Sequence, residues 1–299
     1  MLQVIDRGRS LDEIFNGDWF RALPASRRDL GLCRELAFGL CRWYFVLRPL
    51  LEQRMQKPLR KRDRDVEIIL LIGLYQLLVL QTGAHAAVNE SVKLCQAQKK
   101  KWASGLVNAL LRGVLREQLA LDEDACLQAF PEWMRARLEQ DWNERSAGIL
   151  RALNQRPPMT RIDTARVDVE TWLQQLEATG ASASRHPHVD SAVVLDAPCD
   201  VTQLPGFDEG RVSVQDASAQ LAACLLPCDP GAHVLDACAA PGGKTLHLLQ
   251  RYPRIALDAL DSSADRLERL QQNLQRGALV ACVLTGDEAR PAEWWDGRF

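Results

Sequence analysis

The sequence predicts an α + α/β chain, and three observations predict it. Apolar residues recur at three- and four-residue spacing from Ser10 to about Asn154, the period of helices. The pattern then breaks at Pro157-Pro158, because a residue before proline is driven out of the helical region. From Arg211 onward, apolar strand-like runs alternate with helix-like segments across small-residue turns, which is the order of a parallel α/β sheet.

Ser10-x-x-Glu13 reads as a capping box opening the helical part. Helices are expected over 30–51, 66–80, 88–98, 105–119 and 131–140, and connections as short as Gln56-Lys57-Pro58 and Thr82-Gly83 imply a compact bundle. Between 155 and 210 the reading is strands at 160–163 and 192–196, a helix at 169–178 and a polar stretch at 179–188, a small α+β subdomain. Strands at 232–235, 255–260 and 280–284, with helices at 245–251 and 264–276 between them, give the first βαβαβ half of a doubly wound, Rossmann-like sheet. The expected domains are therefore 1–154, 155–210 and 211–299.

With 299 residues, 47% hydrophobic and 25% charged, the chain has ample core for two or three domains. Asp6, Arg7 and Arg9 interrupt what a secretory signal needs as a continuous apolar run. The longest apolar run, 68–80, contains Gln76 and falls short of the roughly 20 residues that cross a bilayer, so it reads as a buried helix. Nine cysteines, an odd count with no Cys-x-x-Cys pair, point to reduced thiols in the cytoplasm and away from a metal site. Cys224 and Cys228 stand four apart and could pair on a metal, or be buried thiols; no second pair or nearby histidine supports the metal.

The segment richest in chemistry is Asp236-Ala-Cys-Ala-Ala-Pro-Gly-Gly-Lys-Thr245, set between a strand-like and a helix-like run. Small side chains let backbone approach a ligand, Gly242 and Gly243 tolerate positive φ, and the helix start points free N–H groups at it. A phosphate-binding loop would need a glycine where Cys238 stands, and the Gly-x-Gly-x-x-Gly dinucleotide fingerprint is absent. The decapeptide instead resembles motif I of the Sun/Fmu family of RNA (cytosine-5) methyltransferases. Val214-Gln215-Asp216-Ala217-Ser218-Ala219-Gln220 extends the likeness. The stretches 87–92 (Ala-Val-Asn-Glu-Ser-Val) and 103–112 (Ala-Ser-Gly-Leu-Val-Asn-Ala-Leu-Leu-Arg) resemble the NusB-like RNA-binding domain that precedes the enzyme in small-subunit (16S) rRNA members.

The resemblance implies that Cys238, Ala239, Ala240, Pro241, Gly242, Gly243 and Lys244 hold S-adenosylmethionine. An acid closing the second strand of such a fold accepts ribose hydroxyls, which is the expectation for Asp261. Asp287 is placed near the adenine by the same likeness. Either aspartate could instead be an ordinary turn former. Carbon 5 of cytosine is too weak a nucleophile to take the methyl group unaided, so a cysteine thiolate first adds to carbon 6. The family carries its cysteines after motif I, in Asp-Ala-Pro-Cys-Ser and Thr-Cys-Ser. Asp196-Ala197-Pro198-Cys199 spells much of the first but precedes the loop, so Cys199 reads as a decoy. Gly297-Arg298-Phe299 resembles the lead-in to the fourth strand, and the expectation is a chain truncated before its catalytic cysteines.

Residues 1–150 hold 23 Lys+Arg against 19 Asp+Glu, a mild surplus compatible with rRNA contact. Lys57, Arg60, Lys61 and Arg62, with Lys99, Lys100 and Lys101, are the candidate phosphate contacts, or solvated loop charges. Trp102 beside them is a stacking platform or core, and His186 and His188 are loop histidines or a catalytic pair. The alternative to an enzyme is a non-catalytic RNA-binding protein with a degenerate or truncated methyltransferase domain.

Overall fold

A computed structural model of the chain describes every residue except 156–158, 164, 165, 198, 298 and 299. The expected boundary at Pro157-Pro158, Pro198 of the decoy motif and the terminal Arg298-Phe299 lie outside the described residues. The chain divides into two units, Met1–Gln155 and Arg156–Phe299.

The first unit is helical: α1 (Leu2–Arg7), α2 (Leu11–Asn16), α3 (Asp18–Arg21), α4 (Arg27–Arg54), α5 (Arg64–Leu78), α6 (Ala84–Ala97), α7 (Ser104–Arg116), α8 (Glu132–Trp142) and α9 (Ser146–Asn154). Its centre is α5, apolar on every side from Ile68 to Tyr75 and buried at Val66, Ile68 to Leu71, Leu74, Tyr75 and Leu78. It packs on α4, α6 and α7. Glycines set two of these approaches. A β-carbon on Gly39 would lie 2.0 Å from the Tyr75 hydroxyl oxygen, and one on Gly73 2.6 Å from Leu111. The capping box expected at Ser10 is not formed: Ser10 accepts the Asp12 N–H, while the Glu13 carboxylate takes the guanidinium of Arg9. A reciprocal box forms at Ser26 and Asp29, whose side chains accept each other's backbone N–H and start the 28-residue α4. Among the described residues no helix is long and apolar enough to cross a membrane.

The second unit carries two sheets. β1 (Met159–Ile162), β2 (Ala183–Arg185), β3 (Ala192–Leu195) and β4 (Val212–Val214) form an antiparallel sheet in the order β2-β3-β1-β4. Helix α10 (Val169–Glu177) closes its core through the fully buried Trp172, whose indole N–H donates to the Pro205 carbonyl at 2.8 Å. The sequence reading differs here in two places. β2 falls in the stretch read as polar, and 212–214, read with the following α/β domain, pair with β1 in this sheet.

Helix α11 (Ala217–Leu225) leads into β5 (His233–Asp236), α12 (Gly243–Arg251), β6 (Ala256–Asp261), α13 (Ala264–Gly277) and β7 (Cys282–Thr285). The three strands are parallel in the order β5-β6-β7. A seam joins this layer to the antiparallel sheet. The Arg276 guanidinium donates to the carbonyls of Phe207 at 2.7 Å and Val212 at 3.3 Å, and lies 4.1 Å from the Phe207 ring centre. The Gln250 amide donates to the Gly210 carbonyl, and a β-carbon on Gly210 would stand 2.6 Å from the Gly277 α-carbon.

Candidate cofactor-binding site

Parallel strands bring their C-terminal ends to one edge, where ligands of open α/β sheets bind. Asp236 ends β5, Asp261 ends β6, and Gly286-Asp287 follows β7 at that edge, with Asp261 in register with Thr285.

The loop from β5 to α12 is fastened at several points. The Asp236 carboxylate accepts the Thr245 hydroxyl at 2.7 Å, tying the strand end to the first helical turn. Ala239 N–H donates to the Leu260 carbonyl at 2.9 Å, and Ala240 N–H donates to the Asp261 carboxylate at 3.1 Å. Gly242 has φ +104°, and a β-carbon there would meet Leu246 at 2.9 Å, so only glycine fits. The positive φ expected of both glycines belongs to Gly242 alone; Gly243 is the first residue of α12, with ordinary space around it. Cys238 and Lys244 are exposed at the mouth of this turn, and Ala239 and Ala240 are buried beneath it.

Asp261 is 2% exposed. Its carboxylate also accepts the Ser263 N–H at 3.1 Å and faces the Arg266 guanidinium at 3.4 Å; that guanidinium reaches on to the Ala240 carbonyl. Asp287 is more open: it accepts the Ala289 N–H and pairs with Arg290 at 3.6 Å. Asp258, three positions before Asp261, is buried between Leu235 and Cys282 in the middle of the sheet.

Gln215 went unnoticed in the sequence beyond its place in a family motif. It is 7% exposed, and among the described residues neither atom of its carboxamide has a hydrogen-bond partner. The amide nitrogen stands 3.7 Å from the β-carbon position of Gly243. A buried amide without partners is costly, and it faces a helix start whose own N–H groups are free.

The other residues singled out in the sequence lie elsewhere. Cys199 is on the surface ahead of the loop, where partial burial and then the Asp200 carboxylate push its thiol pKa up, the reverse of an activating setting. Cys282, the one cysteine after the loop, opens β7 at the edge opposite the loop. His186 and His188 pack edge to face with ring centres 6.0 Å apart. A cavity of about 550 Å³, lined by Asp163, His188, Cys224, His247 and Arg251, runs along the later turns of α12, away from its glycine end. Among the described residues no group of three or more His, Cys, Asp or Glu is placed to hold a metal.

Comparison with known proteins bears on this arrangement. Residues 2–116 match the NusB family, 130–202 the RsmF/B-like methyltransferase ferredoxin-like domain, and 223–299 the 16S rRNA methyltransferase RsmB/F. Ribosomal RNA small subunit methyltransferase B of Vibrio vulnificus is 40% identical over 308 residues, covering 99% of this chain and 70% of that one. The chain belongs to the ribosomal RNA small subunit methyltransferase B family. Its Pseudomonas syringae pv. tomato relative of the same name is 44% identical over 278 residues, covering 91% of this chain. The chain spans 62% and 66% of the lengths of the methyltransferase B relatives from P. syringae and Pseudomonas putida. In fold, it matches the crystal structure of PH0851 with a TM-score of 0.71 and 20% identity, over 95% of this chain and 66% of that one.

Proposed function

We propose that the chain carries the cofactor-binding and RNA-binding parts of an S-adenosylmethionine-dependent enzyme that methylates carbon 5 of a cytosine in 16S rRNA through a covalent cysteine adduct. The supporting observation is the β5–α12 turn: a glycine-only backbone position beside a carboxylate-fastened loop, at the edge where parallel sheets take nucleotides. S-adenosylmethionine supplies an electrophilic methyl group on a sulfonium. Residues Cys238 to Lys244 with the start of α12 would hold it, Gln215 would offer its unpartnered amide to the polar groups, Asp261 would accept the ribose hydroxyls, and Asp287 would serve the adenine. Residues 1–154 bind the RNA, 155–210 form the small subdomain, and 211–299 carry the cofactor. The protein works in the cytoplasm without a metal.

A second reading is a non-catalytic RNA-binding protein. It draws support from Cys199, which precedes the loop and whose thiol pKa is pushed up by partial burial and by Asp200. Calorimetric titration with S-adenosylmethionine and with Mg²⁺-ATP separates cofactor binding from phosphate-loop behaviour. Incubation with labelled S-adenosylmethionine and unmodified 16S rRNA reads the chemistry. ATP binding in preference to S-adenosylmethionine would remove the proposal.

A further inference from the structure

Helix α13 meets the cofactor loop along one stripe. Arg266 and Asn273 stand seven residues apart on it, about two helical turns, so both side chains leave the same face with Leu270 between them. Each grips a loop carbonyl. The Arg266 guanidinium donates to Ala240 at 2.5 Å, and the Asn273 amide donates to the next residue, Pro241, at 2.8 Å. Between the two grips the loop lies against the helix: a β-carbon on Gly242 would stand 3.4 Å from Leu270, which is fully buried.

The distances rank the two contacts of Arg266. Its guanidinium stays 3.4 and 3.5 Å from the Asp261 carboxylate, a loose ion pair, while its short hydrogen bond goes to Ala240. Ala240 is thereby held at both backbone groups, its N–H on Asp261 and its carbonyl on Arg266. Pro241 has no N–H, so its carbonyl is the one backbone group by which it can be fastened. The grip of Asn273 continues past the loop. Its side-chain oxygen accepts the Arg276 guanidinium at 2.9 Å, and Arg276 in turn donates to the carbonyl of Val212, which opens β4. Three consecutive hydrogen bonds therefore run from the antiparallel sheet to the turn at Pro241.

We propose that Arg266 and Asn273 are positioning residues for the cofactor, and that Asn273 ties the setting of the loop to the antiparallel sheet through Arg276. This rests on the reading that Cys238 to Lys244 hold S-adenosylmethionine. Neither side chain has to touch the cofactor. They fix where the loop backbone stands, and a backbone already in place need not be ordered by the ligand. Pro241 is exposed, so water replaces the Asn273 amide when that amide is removed. Stability then changes little, and what is lost is the setting of the loop.

The test uses the whole 299-residue chain, with thermal melts, S-adenosylmethionine calorimetry and amide hydrogen exchange without cofactor. Asn273→Ala should melt with the native chain and bind S-adenosylmethionine about three- to tenfold more weakly, the size of one hydrogen bond. Exchange should quicken by a similar factor at Ala239, Ala240 and Gly242 and stay unchanged in β6. Asn273→Asp keeps an acceptor for Arg276 but loses the donor to Pro241, and should bind no better than Asn273→Ala. Arg266→Ala should weaken binding about tenfold or more. Tighter binding would instead make the guanidinium a plug on Asp261 and overturn the assignment. Arg276→Lys should weaken binding, and adding it to Asn273→Ala should weaken it no further; additive losses would break the tie to the sheet. Native affinity in Asn273→Ala, or native exchange rates in its loop, would remove the positioning role. A native chain that does not bind S-adenosylmethionine defeats the cofactor reading, and the exchange rates then still decide whether α13 holds the loop.

Discussion

The carboxylate of Asp261, at the end of β6, accepts the backbone N–H of Ala240 in the loop that leaves β5, at 3.1 Å. One side chain therefore both shapes the turn and stands at the expected ribose position. Asp261→Ala should weaken S-adenosylmethionine binding about ten- to a hundredfold, the size of a lost charge-assisted bond of about 1.5–3 kcal/mol. Asp258 is the control, since an odd offset along a strand puts it on the opposite face. Calorimetry in a chain extended to the length of its relatives decides this; a larger loss for Asp258→Ala would move the ribose site to the other face.

The two loop glycines should part company. Gly242→Ala combines a left-handed backbone with a 2.9 Å approach to Leu246, and is expected to cost about 1–3 kcal/mol and to abolish detectable cofactor binding. Gly243→Ala meets only ordinary contacts at 3.7 Å and should fold normally. Thermal melts of both variants give the comparison, and equal destabilisation would show the turn to be misplaced.

For Gln215, binding and stability should move in opposite directions. Gln215→Leu replaces an unpartnered buried amide by an apolar group of similar length, so the chain without cofactor should be as stable or more so. Cofactor affinity should fall about tenfold if the amide serves the methionine end, one hydrogen bond being worth about 1 kcal/mol. A variant that loses stability and keeps affinity would make Gln215 structural.

In the helical unit, Gly39→Ala should destabilise by about 3 kcal/mol or more, because the new methyl would overlap the Tyr75 ring. Removing the hydroxyl should not rescue it: the ring carbon bearing that oxygen lies 2.1 Å from the same point. Urea denaturation of Gly39→Ala with and without Tyr75→Phe is the measurement, and full rescue would contradict the packing.

Tyr75 also carries a pH signature. Burial first, and then its 2.7 Å hydrogen bond to the Glu35 carboxylate, push its pKa well above the ordinary tyrosine value. The folded state therefore holds the phenol proton more tightly than the unfolded chain, so this stability is complete below about pH 10 and is lost as pH rises further. Melting temperatures taken upward from about pH 9 should fall more steeply for the native chain than for Tyr75→Phe. Parallel profiles would place the hydroxyl in water.

Much of the fold was legible because the sequence is locally consistent. Residues 68–75 are apolar on all sides, and only a central helix accepts that. The 236–245 turn is legible because close backbone approach demands small residues at each step. What escaped depends on distant partners. β2 is Ala183–Arg185, without apolar alternation, and exists because β3 pairs with its backbone. Ser10 and Glu13 have the right spacing, yet Arg9 is the nearer partner for the glutamate. Gln215 lies beside Gly243, and Lys100 meets Asp63 at 2.9 Å and Asp65 at 3.3 Å, neither of which periodicity can show.

The seam at Arg276, Phe207 and Gly210 has a consequence for how this unit can change over evolution. The short loop offers backbone carbonyls to the Arg276 and Gln250 side chains, and Gly210 sits directly against the backbone at the end of α13, where no side chain can yield. One residue inserted between Phe207 and Arg211 would shift the carbonyls that Arg276 grips and drive Gly210 into the end of α13. The loop is thus a frozen length standard within the unit: the antiparallel sheet inherits its aim from the cofactor layer, and a new target geometry has to arise outside this joint.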